Sequence, residues 1–213
     1  VDGTSLNLTG FKRGVAFSVV DRVYARDSGS AYANCTGETE GLCLYTIGTA
    51  TAPVTWSTSG SVIIDSASTR SYGIDIAGAD YNIVSGFAVI GGVADGIRLT
   101  NVNNSRYVNL IVARNAVMGI NDGSGNQDNV FETNTVFSNT SYGIGGVNQS
   151  LVSGNTVYGN SGRGIDITAN SVAYNNLLAG NANSIFVTGA GNMVRANRIV
   201  RDTADGVVLS GAA

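Results

Sequence analysis

Short apolar segments recur along the chain at a nearly constant spacing. Each opens with a glycine-isoleucine pair or its equivalent, and successive pairs lie 23, 23, 24, 21, 20 and 22 residues apart. After the pair, apolar and polar residues alternate, as at Ile74 and Ile76, which is typical of a short β-strand with one buried face. The pairs are Gly73-Ile74, Gly96-Ile97, Gly119-Ile120, Gly143-Ile144, Gly164-Ile165, Ser184-Ile185 and Gly206-Val207.

Two rows of asparagine run in phase with these segments at a spacing of 21 residues. A fixed period of this length indicates a repeat protein in which each unit packs only on its neighbours. We therefore predict an all-β fold, a single-stranded right-handed parallel β-helix of about eight coils of 20–24 residues. The asparagines are expected to form corners and amide ladders rather than a ligand site. The rows are Asn134, Asn155, Asn176 and Asn197, and Asn139, Asn160, Asn181 and Asp202.

The period divides the chain into two parts of one domain. Residues 60–213 hold the regular repeats. Residues 1–59 are less regular, and we interpret them as an N-terminal cap with the first coils, because the open edge of a first coil has to be covered.

Composition excludes several classes of function. Charged residues make up 13% of the chain, against about 25% in average proteins. With 12 basic and 15 acidic residues and a net charge of −3 there is no basic stripe, so nucleic acid is not expected as a partner. Histidine is absent, which removes the commonest general base and zinc ligand, and we predict no metal site. No segment is long and apolar enough for a membrane span.

The two cysteines, Cys35 and Cys43, enclose the short loop CTGETEGLC. This spacing fits neither a zinc site nor a redox pair, so we predict a structural disulfide. A disulfide indicates an oxidising compartment. Together with the start of the chain at Val1, without a leader, it predicts a mature secreted or cell-surface protein.

Three stretches resemble a known superfamily: RVYARDSG, GTATAPVTWSTSGSVIIDSAST and YGIDIAGADYNIVSGFAVIGG. They are similar to the opening coils of pectate-lyase-like right-handed β-helix proteins, over about residues 20–211 of this chain. The superfamily includes secreted polysaccharide lyases and other extracellular repeat proteins, so the resemblance implies the fold rather than one activity. For a lyase it implies a lysine or arginine base and often calcium held by clustered acids. The only lysine, Lys12, lies outside the regular coils, and no acid cluster is evident. Lyase activity is therefore not predicted, and calcium is only a weak alternative to having no cofactor.

Charged residues near the Gly-Ile pairs are the available catalytic candidates. Asp75 and Arg98 should be neighbours on adjacent coils, where an ordinary surface salt bridge is the simpler interpretation. Asp122 occupies a position that is apolar in other coils, so we expect either a bulge or a functional carboxylate there. The full set is Asp75, Arg98, Asp122, Arg163 and Asp166.

Aromatic residues could bind sugar by stacking; the candidates are Tyr72, Phe137, Tyr142 and Tyr158. Phe137 and Tyr158 lie 21 residues apart and should stack on adjacent coils, so an aromatic ladder that stabilises the solenoid is the favoured alternative.

Two functions remain open. The first is an extracellular structural or adhesive subunit that associates with itself, head to tail, in a filament or surface layer. It is suggested by apolar residues near both ends of the repeat: Leu6, Leu8, Phe186, Val200, Val207, Val208 and Leu209. The second is a secreted carbohydrate-active protein. It is either an enzyme, namely a polysaccharide lyase or a glycoside hydrolase, or a module that binds an extracellular polysaccharide.

Overall fold

The computed structural model describes residues 16–17, 23–24, 40–44, 47–66, 68–123 and 125–211. All regular structure in these ranges is β-strand. In chain order the strands are β1 (Ala16–Phe17), β2 (Val23–Tyr24), β3 (Glu40–Leu44), β4 (Val54–Asp65), β5 (Tyr72–Ala77), β6 (Asn82–Ile90), β7 (Ile97–Thr100), β8 (Arg106–Val108), β9 (Ile111–Ala113), β10 (Ile120–Asn121), β11 (Val130–Glu132), β12 (Thr135–Phe137), β13 (Ile144–Val147), β14 (Leu151–Ser153), β15 (Thr156–Tyr158), β16 (Arg163–Ile167), β17 (Val172–Tyr174), β18 (Leu177–Ala179), β19 (Asn183–Thr188), β20 (Met193–Arg195), β21 (Arg198–Val200) and β22 (Val207–Ser210).

The strands form two parallel sheets that wind around one core. The front sheet has eight strands in the order β22-β19-β16-β13-β10-β7-β5-β3. The back sheet has fourteen, and from β8 onward each coil adds two strands to it, one on each side of the long strand β6. Because every strand pairs with its equivalents one coil away, the predicted parallel β-helix is confirmed.

The solenoid has about six turns, fewer than the eight expected. The repeats in the sequence correspond to strands of the front sheet, and a complete coil needs the chain between two successive strands. The eight strands of this sheet are therefore separated by only seven connecting segments. The first interval, between β3 and β5, is longer than the others and contains the twelve-residue strand β4. The front sheet already includes β3, which lies before residue 60.

The core is built from inward columns, and the isoleucine column follows the predicted register. Its first six members are completely buried: Ile74, Ile97, Ile120, Ile144, Ile165 and Ile185. Val207 is aligned with Ile185 but is 45% exposed, because no further strand of the described residues covers β22. Glycine precedes all of these residues except Ile185, and the reason is lack of space: a Cβ on Gly143 would lie 2.5 Å from Val157 Cγ1 and 2.6 Å from the Gly164 carbonyl oxygen.

Three ladders of polar side chains stabilise the corners between strands. Two are the predicted asparagine rows; Asn139 Nδ2, for example, donates to Asn160 Oδ1 at 3.0 Å. The third precedes the first back-sheet strand of each coil and was not predicted, because serine replaces asparagine at three of its five positions. Its members are Ser105, Asn129, Ser150, Ser171 and Asn192. The left-handed backbone falls on the residue before each ladder position, such as Ser138 with φ 54°, so the asparagines serve mainly to satisfy backbone groups.

Some sequence predictions lie outside the described residues. Leu6, Leu8 and Cys35 belong to this group, while Cys43 lies in β3. The Cys35–Cys43 disulfide therefore stays a prediction. Within the described ranges, no helix is long and apolar enough to cross a membrane.

Candidate functional site

The outward side chains of the front sheet form two rows, which we call the front face. Strand pairing aligns Asp75 with Arg98 and Arg98 with Asn121. Four of the five catalytic candidates lie in these rows, so the structure brings them to one surface. The first row is Asp75, Arg98, Asn121, Gly145, Asp166, Phe186 and Val208. The second, near the start of each strand, is Tyr72, Asp95, Met118, Tyr142, Arg163, Asn183 and Asp205.

Arg98 and Asp75 form the first charged cluster of the front face. Arg98 donates from Nε to Asp75 Oδ1 at 2.8 Å and from Nη2 to Asp75 Oδ2 at 2.9 Å. The guanidinium lies 3.8 Å from the centre of the Tyr72 ring. The Asp75 side chain is only 3% exposed, so this is not the ordinary surface pair expected from the sequence. Its hydrogen bonds to the carboxylate raise the pKa of Arg98, which keeps the guanidinium charged.

A second cluster surrounds Arg163. Its Nη1 atom lies 3.1 Å from Asp166 Oδ1, and its guanidinium lies 3.3 Å from the centre of the Phe186 ring. The Tyr142 ring is on its other side, with 5.0 Å between ring centre and guanidinium carbon. Burial raises the pKa of Asp166, and the charge of Arg163 opposes this rise. Both clusters thus combine an arginine, a carboxylate and an aromatic ring.

The residues between the two clusters are tightly packed. Asp95 accepts hydrogen bonds from the Met118 backbone N–H at 3.0 Å and from Asn121 Nδ2 at 2.9 Å. A Cβ on Gly145 would lie 2.9 Å from Tyr142 Cδ2, so the absence of a side chain lets the tyrosine pack over the strand. The arginine-bearing strands β7 and β16 are three strand spacings apart, or about 14 Å.

Asp75 and Asp166 are not spaced like the carboxylate pair of a glycosidase. A glycosidase with two catalytic carboxylates holds them about 5–10 Å apart. Asp75 and Asp166 lie on β5 and β16, four strand spacings or about 19 Å apart. Each is also paired with an arginine. Lys12, the chain's one lysine, lies outside the described residues.

Asp122, the fifth catalytic candidate, points into the core and not onto the front face. It is completely buried, and its Oδ1 accepts hydrogen bonds from Asn129 Nδ2 at 2.9 Å and Asn126 Nδ2 at 3.3 Å. Burial raises its pKa to about 8, against the effect of the two amides. The expected bulge lies one coil further on, where the register shifts between Ile144 and Val147. A ligand on the front face cannot reach this carboxyl group.

The aromatic candidates divide between two surfaces. Phe137 and Tyr158 lie on the outer side of the back sheet, with ring centres 4.8 Å apart and planes within 1° of parallel. This confirms the predicted stacking on adjacent coils, and it favours the ladder interpretation because the facing ring surfaces cover each other. Tyr72 and Tyr142 remain as front-face candidates for sugar contact.

A corner groove, outside the front face, has fewer types of functional group among the described residues. A groove of about 330 Å³ at one corner contains the exposed Arg114 and the hydroxyl residues Ser138 and Thr140, with no acidic or aromatic residue in its lining. The described ranges contain no group of three or more His, Cys, Asp or Glu residues placed to hold a metal ion.

Two features of the front face were missed by reasoning from the sequence. Phe186 was assigned to self-association, although its ring packs on Arg163. Asp95 and Asn121 were assigned no role, although they connect neighbouring coils. Both contacts join residues of different rows, and the repeat spacing alone does not reveal them.

The sequence matches the family described as "Right handed beta helix region" over residues 47–204. The chain belongs to this family. No curated protein matches it.

Several solved structures of β-helix proteins are similar to this member of the family. Pectate lyase Pel9A is 15% identical, with a TM-score of 0.54, over 80% of this chain and 64% of that one. The alginate lyase from Paenibacillus sp. str. FPU-7 is 12% identical, with a TM-score of 0.53, over 81% and 88%. A mutant of the periplasmic alginate epimerase AlgG is 18% identical, with a TM-score of 0.51, over 80% and 47%. At these identities the likeness shows the fold alone.

Proposed function

We propose that this protein is a secreted carbohydrate-active β-helix that binds a polysaccharide chain along its front face. The observation that carries the proposal is the pair of arginine–carboxylate–aromatic clusters about 14 Å apart on one surface. Aromatic rings offer an apolar surface to sugar rings, while a few fixed polar groups orient the hydroxyl groups. Because both clusters lie on the same parallel sheet, one extended ligand can contact both of them.

The similar structures support a carbohydrate ligand. Their names describe proteins that act on pectate or alginate, and one is described as periplasmic. This chain spans about two thirds of the length of pectate lyase Pel9A, so activity of a whole protein of that kind is itself a proposal. A location outside the cytoplasm agrees with the disulfide that the sequence predicts.

Electrophoresis through gels that contain soluble polysaccharides tests this function. We expect at least one polysaccharide to retard the protein, and Tyr142→Ala to weaken the retardation because its ring lies on the front face. The matched control is Tyr158→Ala, which removes a tyrosine from the back sheet. An equal loss for both variants, or no retardation by any polysaccharide, contradicts the proposal.

We further propose that the protein binds the polysaccharide without cleaving it by β-elimination, the reaction of a lyase. Asp75 and Asp166 are paired with arginines, and Asp122 is enclosed in the core. Incubation with pectate or alginate, with and without calcium, should give no unsaturated product that absorbs in the ultraviolet. Formation of that product, and its loss in Arg98→Ala, would identify a lyase.

Self-association is a second candidate, favoured by β22, the last strand that the structure describes. Val207 and Leu209 lie in inward columns but are 45% and 70% exposed, whereas their partners Ile185 and Val187 are 0% and 3% exposed. Another coil of the same kind would bury them, and a second copy of this chain can supply it. Sedimentation velocity should then show oligomers that the double variant Val207→Lys with Leu209→Lys lacks. A monomer at high concentration excludes this candidate.

A further inference from the structure

The front face carries more negative than positive charge. Its two rows contain four carboxylates, Asp75, Asp95, Asp166 and Asp205, but only two guanidinium groups, Arg98 and Arg163. Both hydrogen bonds that Asp95 accepts come from neutral donors, the Met118 N–H and the Asn121 amide. A polyanion that approaches this surface therefore meets a net repulsion.

The arginine that is best placed to hold a ligand carboxylate is already engaged. A carboxylate is recognised most strongly by two parallel N–H groups of one guanidinium. In Arg98, Nε and Nη2 both point at Asp75, and one face of the guanidinium lies on Tyr72. The remaining N–H groups suit single hydrogen bonds to hydroxyl oxygens.

Arg163 is restricted in a similar way. Asp166 lies 3.1 Å from its Nη1 atom, and the Phe186 and Tyr142 rings lie 3.3 Å and 5.0 Å from its guanidinium carbon. An anionic sugar would have to displace Asp166 or share the arginine with it. A hydroxyl group can instead donate to the carboxylate or accept from the arginine, so it complements both members of the pair.

We propose that the front face recognises a neutral, hydroxyl-rich polysaccharide and discriminates against polyuronates. This inference rests on the proposed function and adds the class of ligand. Discrimination arises because the arginines that could bind a uronate carboxylate are held by carboxylates of the protein itself.

Polysaccharide pairs that share a backbone and differ mainly in charge test the inference. Hydroxyethyl cellulose is compared with carboxymethyl cellulose, and highly methyl-esterified homogalacturonan with its de-esterified form, each in EDTA and in calcium. We expect the neutral member of a pair to bind more tightly, with or without calcium. Tighter binding of an anionic member, including binding that requires calcium, overturns the inference but leaves the proposed function intact. Binding of no member in either pair also overturns the inference, whereas the absence of retardation by every polysaccharide contradicts the proposed function itself.

Asp166→Asn separates charge discrimination from general loss of structure. The substitution removes one carboxylate and frees Arg163, so affinity for the anionic member should rise several-fold, while affinity for the neutral member stays the same or falls. Asp128→Asn, an exposed aspartate at a corner, is the matched control and should change neither affinity. If Asp166→Asn remains folded by circular dichroism and gains no affinity for the anionic polymer, the proposed cause of discrimination is wrong.

Discussion

Arg98 reaches across one strand spacing and holds both carboxylate oxygens of Asp75, at 2.8 and 2.9 Å. The acid is almost completely enclosed, while the arginine side chain is 33% exposed. The pair thus joins two coils and also presents a charged surface to solvent. The same two residues therefore serve the fold and the proposed binding surface on the front face.

Removal of the arginine should destabilise the fold, because Arg98→Met leaves the Asp75 carboxylate enclosed without its two donors. Loss of hydrogen bonds to a charged group of this kind costs roughly 1.5–3 kcal/mol. The matched control is Arg106→Met, since the Arg106–Glu132 pair has side chains 53% and 29% exposed and should contribute less than about 1 kcal/mol. Equal losses in urea-induced unfolding would mean that Asp75 is not protected from solvent.

The lack of space at the glycine before an inward isoleucine should make replacement of that glycine destabilising. Gly143→Ala places a methyl group 2.6 Å from the Gly164 carbonyl oxygen and 2.5 Å from Val157 Cγ1, so we expect a loss of about 1–3 kcal/mol from overpacking. Gly206 occupies the same position in the last coil, but there the nearest atom, Ile199 Cγ2, is 3.5 Å away. Gly206→Ala should leave the unfolding midpoint unchanged. A tolerated Gly143→Ala would contradict the tight contact between coils.

Asp122 should make stability depend on pH. Its folded-state pKa of about 8 lies far above the value near 4 of an unfolded aspartate, so folding takes up a proton between these values. Stability from this group therefore falls as pH rises from about 4 to about 8 and is constant above that. The total effect is on the order of 5 kcal/mol.

Asp122→Asn should remove this dependence and stabilise the protein at pH 8. The asparagine keeps an oxygen for the Asn126 and Asn129 amides and carries no charge. The measurement is the difference in unfolding free energy between this variant and the parent protein at several pH values. Asp128→Asn in the same loop is the control. A difference that does not change with pH would show that Asp122 is not buried as a neutral acid.

The inward half of the fold was predictable from the sequence because its pattern has one physical cause. Each isoleucine faces its equivalents in adjacent coils, so Ile97 and Ile120 recur with the period of the solenoid. Asn155 and Asn176 recur for the same reason, since each side chain bonds the next coil. The recurrence of asparagine therefore predicted two of the three corner ladders.

The candidate site was predictable only in part. The spacing placed Arg98 beside Asp75, but it did not indicate that the acid is enclosed. The contact between Arg163 and Phe186 joins different rows. The hydrogen bonds of Asp122 come from Asn129 of the third ladder and from Asn126, which lies in an irregular loop. Such contacts follow from the path of the chain in three dimensions and leave no repeat in the sequence.

A crystal structure of the protein with an oligosaccharide from a polysaccharide that retards it tests the central claim most directly. The account predicts sugar density along the front face, in contact with Tyr142 and between Arg98 and Arg163. Sugar bound instead at the back-sheet stack of Phe137 and Tyr158, or in the corner groove beside Arg114, would contradict it.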